Sequence, residues 1–225
     1  MTEVRYLGHS AVAIADGDTT VLVDPFLTGN PKAAISAADV HATAILLTHG
    51  HGDHYGDVVD IAKRTGASVQ AITEIADELT GEGLNAIDTN LGGTAKYDWG
   101  WVKLVPAWHT STTPKGQVST PAGLLINFKG SVIYHVGDTA LFSDLSLVGK
   151  RNPIDLALVP IGGHYTMDRV DAVDAVELIG AKTVIPIHYN TFPPIETDAQ
   201  QFKSDAESAT RSEVVILDPG QAYNL

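Results

Sequence analysis

Short apolar segments separated by turn residues open the chain. Val4 to Leu7, Ala11 to Ala15 and Thr20 to Val23 are largely apolar and β-branched. Gly8 and the turn Asp16-Gly17-Asp18 break them apart, which predicts three strands joined tightly. Ala44 to Leu47 is a continuous apolar run, the pattern of a buried strand. Beyond it the rhythm lengthens. Asp57 to Arg64 and Thr73 to Thr80 predict helices, with a strand at Ser68 to Ala71 between them. Trp101 to Pro106, Leu124 to Phe128 and Ser131 to Val136 predict strands, and Leu156 to Pro160 and Thr183 to Ile187 predict fully buried ones. Val170, Val173, Val176 and Ile179 recur at helical spacing as one face of a helix, and Gly180 suits its left-handed stop. Asp198 to Ser208 predicts a weaker helix and Val214 to Leu217 a closing strand. Strands dominate early and βα units follow in both halves. That order predicts two packed sheets with helices outside, a four-layer αββα sandwich. No repeat, linker or low-complexity tract interrupts it, and the expected organisation is one domain over residues 1–225.

The buried run at Ala44 feeds into Thr48-His49-Gly50-His51-Gly52-Asp53-His54. Three histidines and an aspartate within six residues are not what packing requires, because histidine is only intermediate in burial preference. Alternating glycines make the segment a loop whose backbone can approach something closely. Neutral imidazole and carboxylate are the usual ligands of zinc and related ions. A plain solvated loop explains the cluster poorly.

Composition narrows the setting. Hydrophobic residues are 44% of the chain, enough for a sizeable core. No run reaches the roughly 18 apolar residues of a membrane helix, and Met1 to Ser10 lacks the apolar stretch of a signal peptide. There is no cysteine, which removes disulfides and thiolate ligands and makes a cytoplasmic location the default expectation. The net charge of −13 repels phosphate backbones and anionic membranes. The expected partner is a small molecule, with no nucleic acid and no membrane. A homo-oligomer is left open.

The loop Thr48-His49-x-His51-x-Asp53-His54 at a strand end resembles the signature of the metallo-β-lactamase superfamily. The later ligands of that family match in order. His109 follows Val105-Pro106-Ala107-Trp108, Asp138 lies in Tyr134-His135-Val136-Gly137-Asp138-Thr139, and His188 ends Val184-Ile185-Pro186-Ile187. Leu7-Gly8-His9-Ser10, Val23-Asp24-Pro25-Phe26, Gly163-His164-Tyr165-Thr166-Met167 and Pro186-Ile187-His188-Tyr189-Asn190-Thr191-Phe192 add a closer likeness. They resemble the short metal-dependent hydrolases related to the ascorbate-phosphate lactonases.

The resemblance implies two divalent ions. His49, His51 and His109 would hold one, Asp53, His54 and His188 the other, and Asp138 would bridge. Zinc is the first expectation, with manganese, iron or nickel also suited to this donor set. Paired cations would lower the pKa of a shared water and give a hydroxide nucleophile at neutral pH, with Asp53 and Asp138 as the catalytic carboxylates. Asp24 would orient a ligand imidazole. His9 and His164 are candidate substrate contacts. His135 reads as a sheet residue, the tryptophans at 99, 101 and 108 as packing residues, and Asp168 to Asp174 as a solvated helix face. The implied function is hydrolysis of a small, anionic ester, lactone or phosphodiester. A nuclease on the same fold is disfavoured by the acidic charge and by the short segment between His109 and Asp138. A flavodiiron-type oxidoreductase would want a carboxylate where His51 stands. A non-catalytic binding protein would not need the full ligand set.

Overall fold

The computed structural model describes residues 1–225. Strands β1 (Glu3–Gly8), β2 (Ala11–Asp16) and β3 (Thr19–Val23) form an antiparallel meander. β4 (Ala44–Leu46) pairs parallel with β3 and leads into a helical turn, α1 (Gly52–Tyr55), and helix α2 (Val58–Thr65). β5 (Ser68–Ile72), α3 (Thr73–Gly81) and β6 (Ala86–Thr89) extend the parallel part. The second sheet opens with antiparallel strands β7 (Thr94–Tyr97), β8 (Gly100–Pro106), β9 (Ala122–Phe128) and β10 (Ser131–His135). After α4 (Leu145–Arg151) it continues parallel through β11 (Leu156–Pro160), α5 (Arg169–Ile179), β12 (Thr183–Ile187), α6 (Ala199–Ala209) and β13 (Glu213–Val214). β14 (Ala222–Asn224) returns to the edge of the first sheet beside β1. Two seven-stranded sheets result, with helices on their outer faces, the expected αββα sandwich. No helix is long and apolar enough to cross a membrane.

Strand alternation explains the layers. In β11, Leu156 and Leu158 join the core between the sheets, while Ala157 and Val159 face the outer core with α5. β12 does the same with Ile185 and Ile187 inward and Val184 outward. Both strands are covered on both faces, so both read as unbroken apolar runs.

Three expectations change. The helix at Val170 is present, but its buried stripe is Ala172, Ala175, Val176 and Ile179. Val170 is 60% exposed, because small alanines let α5 lie close to its neighbours along a different face. The closing strand stops at Val214 rather than Leu217. The metal-loop segment is not loop throughout: His54 and Tyr55 donate their amides to His51 O, so its second half is a turn of helix.

Candidate metal centre

Strand ends build the site. Five non-glycine residues near it adopt left-handed backbone: His9, Asp24, His164, His188 and Asn190, with φ between 46° and 61°. Such geometry costs of order 1–3 kcal/mol per residue and persists only where surroundings impose it. Asp24 and His188 each come directly after a strand, so the chain turns there and aims a side chain across the sheet edge.

Asp138 is the centre. Its Oδ2 lies 3.1 Å from His188 Nε2, 3.3 Å from His54 Nε2, 3.6 Å from His109 Nε2 and 4.0 Å from His49 Nε2. Four imidazoles cannot all donate to one carboxylate oxygen. The hydrogen-bond geometry agrees, since His54 Nε2, His188 Nε2 and Asp138 Oδ1 are buried without a hydrogen-bond partner. An unsatisfied buried polar atom costs about 1–3 kcal/mol, whereas metal binding to such a donor set can return on the order of 10 kcal/mol. The cluster therefore fits metal ions better than it fits a polar core. Two groups of donors are close enough to share an ion: His49, His51 and His109, and His9, Asp53, His54 and His188. Asp138 also groups with His49 and His54, between the two.

Supporting contacts fix which nitrogen faces the centre. Asp24, fully buried, accepts from His54 Nδ1 at 2.8 Å, from Thr48 N at 2.8 Å and from Thr48 Oγ1 at 2.6 Å. The Thr48 hydroxyl, spending its proton on Asp24, is left to accept from His49 Nδ1 at 3.0 Å. One carboxylate thus leaves Nε2 free on two histidines, directly on His54 and through Thr48 on His49. His9 lies between Asp53 Oδ2, 3.1 Å from its Nε2, and Thr191 Oγ1, 2.9 Å from its Nδ1.

The electrostatics follow burial first. Burial drives His49 well below the usual imidazole range and lowers His9 to about 4. Burial also works against charge on His54, but Asp138 and Asp24 outweigh it and push that imidazole well up. Burial would raise Asp138, yet His188 and His54 hold it well below the carboxylate range. Asp53 is held down too, chiefly by the His9 hydrogen bond against its own burial. Both carboxylates are ionised, the form a cation requires.

Comparisons with known proteins settle the family. A model of the β-lactamase superfamily domain matches residues 3–188. A UPF0173 metal-dependent hydrolase of Thermus thermophilus is 49% identical over 100% of both chains. Another, of Pelotomaculum thermopropionicum, is 45% identical over 99% of this chain and all of its own. Among solved structures, a metallo hydrolase of the archaeon Ignicoccus hospitalis superposes with a TM-score of 0.90 at 36% identity, covering 100% of this chain and 99% of that one. The chain belongs to the metallo-β-lactamase superfamily, among its UPF0173 metal-dependent hydrolases.

In this superfamily member the residues singled out from sequence fall into place unequally. His49, His51, Asp53, His54, His109, Asp138 and His188 all converge, and Asp24 lies directly behind His54. His9 borders the cavity, but both of its ring nitrogens already face protein partners. His164 is exposed and outside the cavity lining; the turn at Gly163 and His164 gives the wall to Tyr165 instead. His135 is buried in its sheet, with Nε2 3.0 Å from Ser10 O. Trp99 packs on Phe128, while Trp108 is 69% exposed and so is not the packing residue expected. Of the two loop glycines, only Gly50 meets a close neighbour, since a Cβ there would lie 2.9 Å from Thr113 Cγ2; Gly52 faces open space.

Some contributors carried no sequence signal. Thr48 and Thr191 act through single hydroxyls. Glu78 on α3 accepts from Tyr55 Oη at 3.1 Å and from Thr113 Oγ1 at 2.6 Å. Its carboxylate thereby clasps the helical turn bearing Asp53 and His54 to the loop bearing His109. Lys115, on the same loop, pairs with Glu82 just past α3.

Proposed function

We propose that this metal-dependent hydrolase uses two divalent ions, zinc in the first instance, to cleave a small ester, lactone or phosphodiester. The observation that carries the reading is the convergence of His49, His54, His109 and His188 on Asp138 Oδ2. His49 Nε2, His51 Nδ1 and His109 Nε2 would hold one ion; Asp53, His54 Nε2 and His188 Nε2 would hold the other. Asp138 would lie between them. When bound, the ions supply Lewis acidity and a hydroxide nucleophile from water at neutral pH. The chain's own residues do the rest. Asp24 keeps a proton on His54 Nδ1 so that Nε2 stays a donor of its lone pair. His9 holds Asp53 in one orientation through the Nε2 contact. Burial of His49, His54 and His188 excludes water from the rear of the site, so the only open side is the cavity above.

A small substrate is supported by the size of that cavity, about 540 Å³, in the range of small-molecule sites. The net charge of −13 argues against a polynucleotide. The test is a panel of lactones, esters and phosphodiesters with zinc, manganese, iron or nickel restored in turn. Turnover in oxygen-18 water should put the label into the product acid. Label absent from that acid would exclude water as the nucleophile and end the reading.

A further inference from the structure

The cavity wall constrains the part of the substrate that does not react. One side is the donor cluster. The other is formed by Phe192, Pro194 and Ile195, with Tyr165 and Thr110 at the sides, and none of the eleven lining residues is a lysine or arginine. We propose that the substrate presents its hydrolysable group to the metals and an uncharged, apolar body to the wall of Phe192 and Pro194, which the buried Ile195 supports. This rests on the metal-dependent hydrolase reading above and narrows its substrate class. Any negative charge belongs on the group that meets the ions.

Three observations carry it. The apolar wall is built to hold its shape: Asn190 N donates to Ile195 O at 2.9 Å, Thr197 N donates to Asn190 Oδ1 at 2.8 Å, and Ile195 is fully buried. Phe192 is braced from behind by Phe26, with ring centroids 6.5 Å apart. A preformed apolar surface of this kind accepts hydrocarbon or an aromatic ring at little ordering cost. Next, a carboxylate or phosphate carried against that wall would lose water and find no cation or N–H cluster in return, which is the costly case for a buried charge. Last, the two carboxylates that line the cavity, Asp53 and Asp138, offset half of the charge two divalent ions would bring, a hydroxide and the hydrolysable group meet the rest at the ions themselves, and the chain around them is acidic. A second anionic group on the substrate would be repelled rather than steered.

Hydroxamates separate the two ends of the site, because the hydroxamate seats on open metal positions while its tail lies along the wall. Benzohydroxamate and 4-carboxybenzohydroxamate are titrated calorimetrically into the zinc-loaded protein. The neutral compound should bind at least about tenfold more tightly, the ratio expected when one charge is desolvated without a partner. Phe192→Ala, with an unchanged melting temperature as its control, should weaken benzohydroxamate and shrink that ratio. Phe192→Arg should reverse the preference; should it fail to fold, the ratios for the unaltered chain and Phe192→Ala decide. Equal or tighter binding of the carboxylated compound overturns the proposal, and so does failure of benzohydroxamate to bind a chain shown to hold its zinc. If the neutral preference holds while no ester, lactone or phosphodiester with an uncharged body is turned over, the hydrolase reading fails and the apolar subsite stands.

Discussion

From β1 to β6 and from β8 to β13 the chain runs the same course: three antiparallel strands, then three parallel ones with helices between. β14 edges the first set and β7 the second, both antiparallel. The site lies where the strand ends of the two halves meet, and equivalent ends are filled differently. His9 follows β1 as His109 follows β8. Asp24 follows β3 as Asp138 follows β10. The end of β4 carries four of the seven ligand candidates, whereas the matching end of β11 carries Gly162-Gly163-His164 and none; β12 carries His188 and β5 no ligand. Topology supplies the positions, and the length and aim of each turn decide whether a side chain reaches the centre or braces one that does. Asp24 turns inward at φ 46° to hold His54, while Asp138, two residues further past its strand, reaches the centre.

The largest effect should separate the two aspartates. Asp138→Ala should abolish retention of both ions and cut turnover by about a hundredfold or more, as atomic absorption and steady-state rates would show; a variant that keeps a full load refutes the bridging position. Asp24→Asn leaves every ligand in place and should weaken metal affinity about 10–100-fold, measured by competition with a chelator. An affinity unchanged from the parent would mean that His54 needs no such hold.

The histidine pair gives a finer contrast. His109→Ala should lose one ion, while His9→Ala should keep both at saturating metal and lose turnover through a misdirected Asp53. Loss of an ion from His9→Ala would make His9 a ligand and the two halves more alike than described. A smaller effect belongs to the clasp. Glu78→Ala removes the shared acceptor of Tyr55 and Thr113, and should lower affinity for one ion a few-fold, with a stability loss of about 1–3 kcal/mol from two hydroxyls left unpaired. A Co²⁺ absorption spectrum identical to that of the unaltered chain would show that the clasp does not reach the metal ligands.

How far the sequence could be read follows the same division. β11 and β12 were legible to the residue, because strands covered on both faces are near-continuous apolar runs, and these two start directly after the charged Asp155 and Lys182. β6, β7 and β14 were not, since they lie near or at sheet edges with half-exposed faces and carry threonines, lysine and asparagine rather than an apolar pattern. α4 escaped because Gly149 and a short apolar face obscure its period. In the site, His49 to His54 announced themselves by density alone. His109, Asp138 and His188 are single residues separated by dozens of others, and only the family resemblance picked them out. Thr48, Thr191 and Glu78 act through one hydrogen bond or two across the fold, and a lone threonine or glutamate has no local pattern to give it away. His164 shows the reverse: a glycine-flanked histidine after a buried strand looks like a site residue, yet the turn leaves it in solvent.

The central claim is that this fold closes around two ions, and metal stoichiometry tests it most directly. The purified chain is stripped with chelator, dialysed against excess Zn²⁺, freed of unbound metal and analysed for metal and protein together. The account predicts a plateau at about two ions per chain, with a melting temperature raised above that of the stripped protein. A plateau at about one ion, or only trace metal with the two melting curves superimposed, would contradict it.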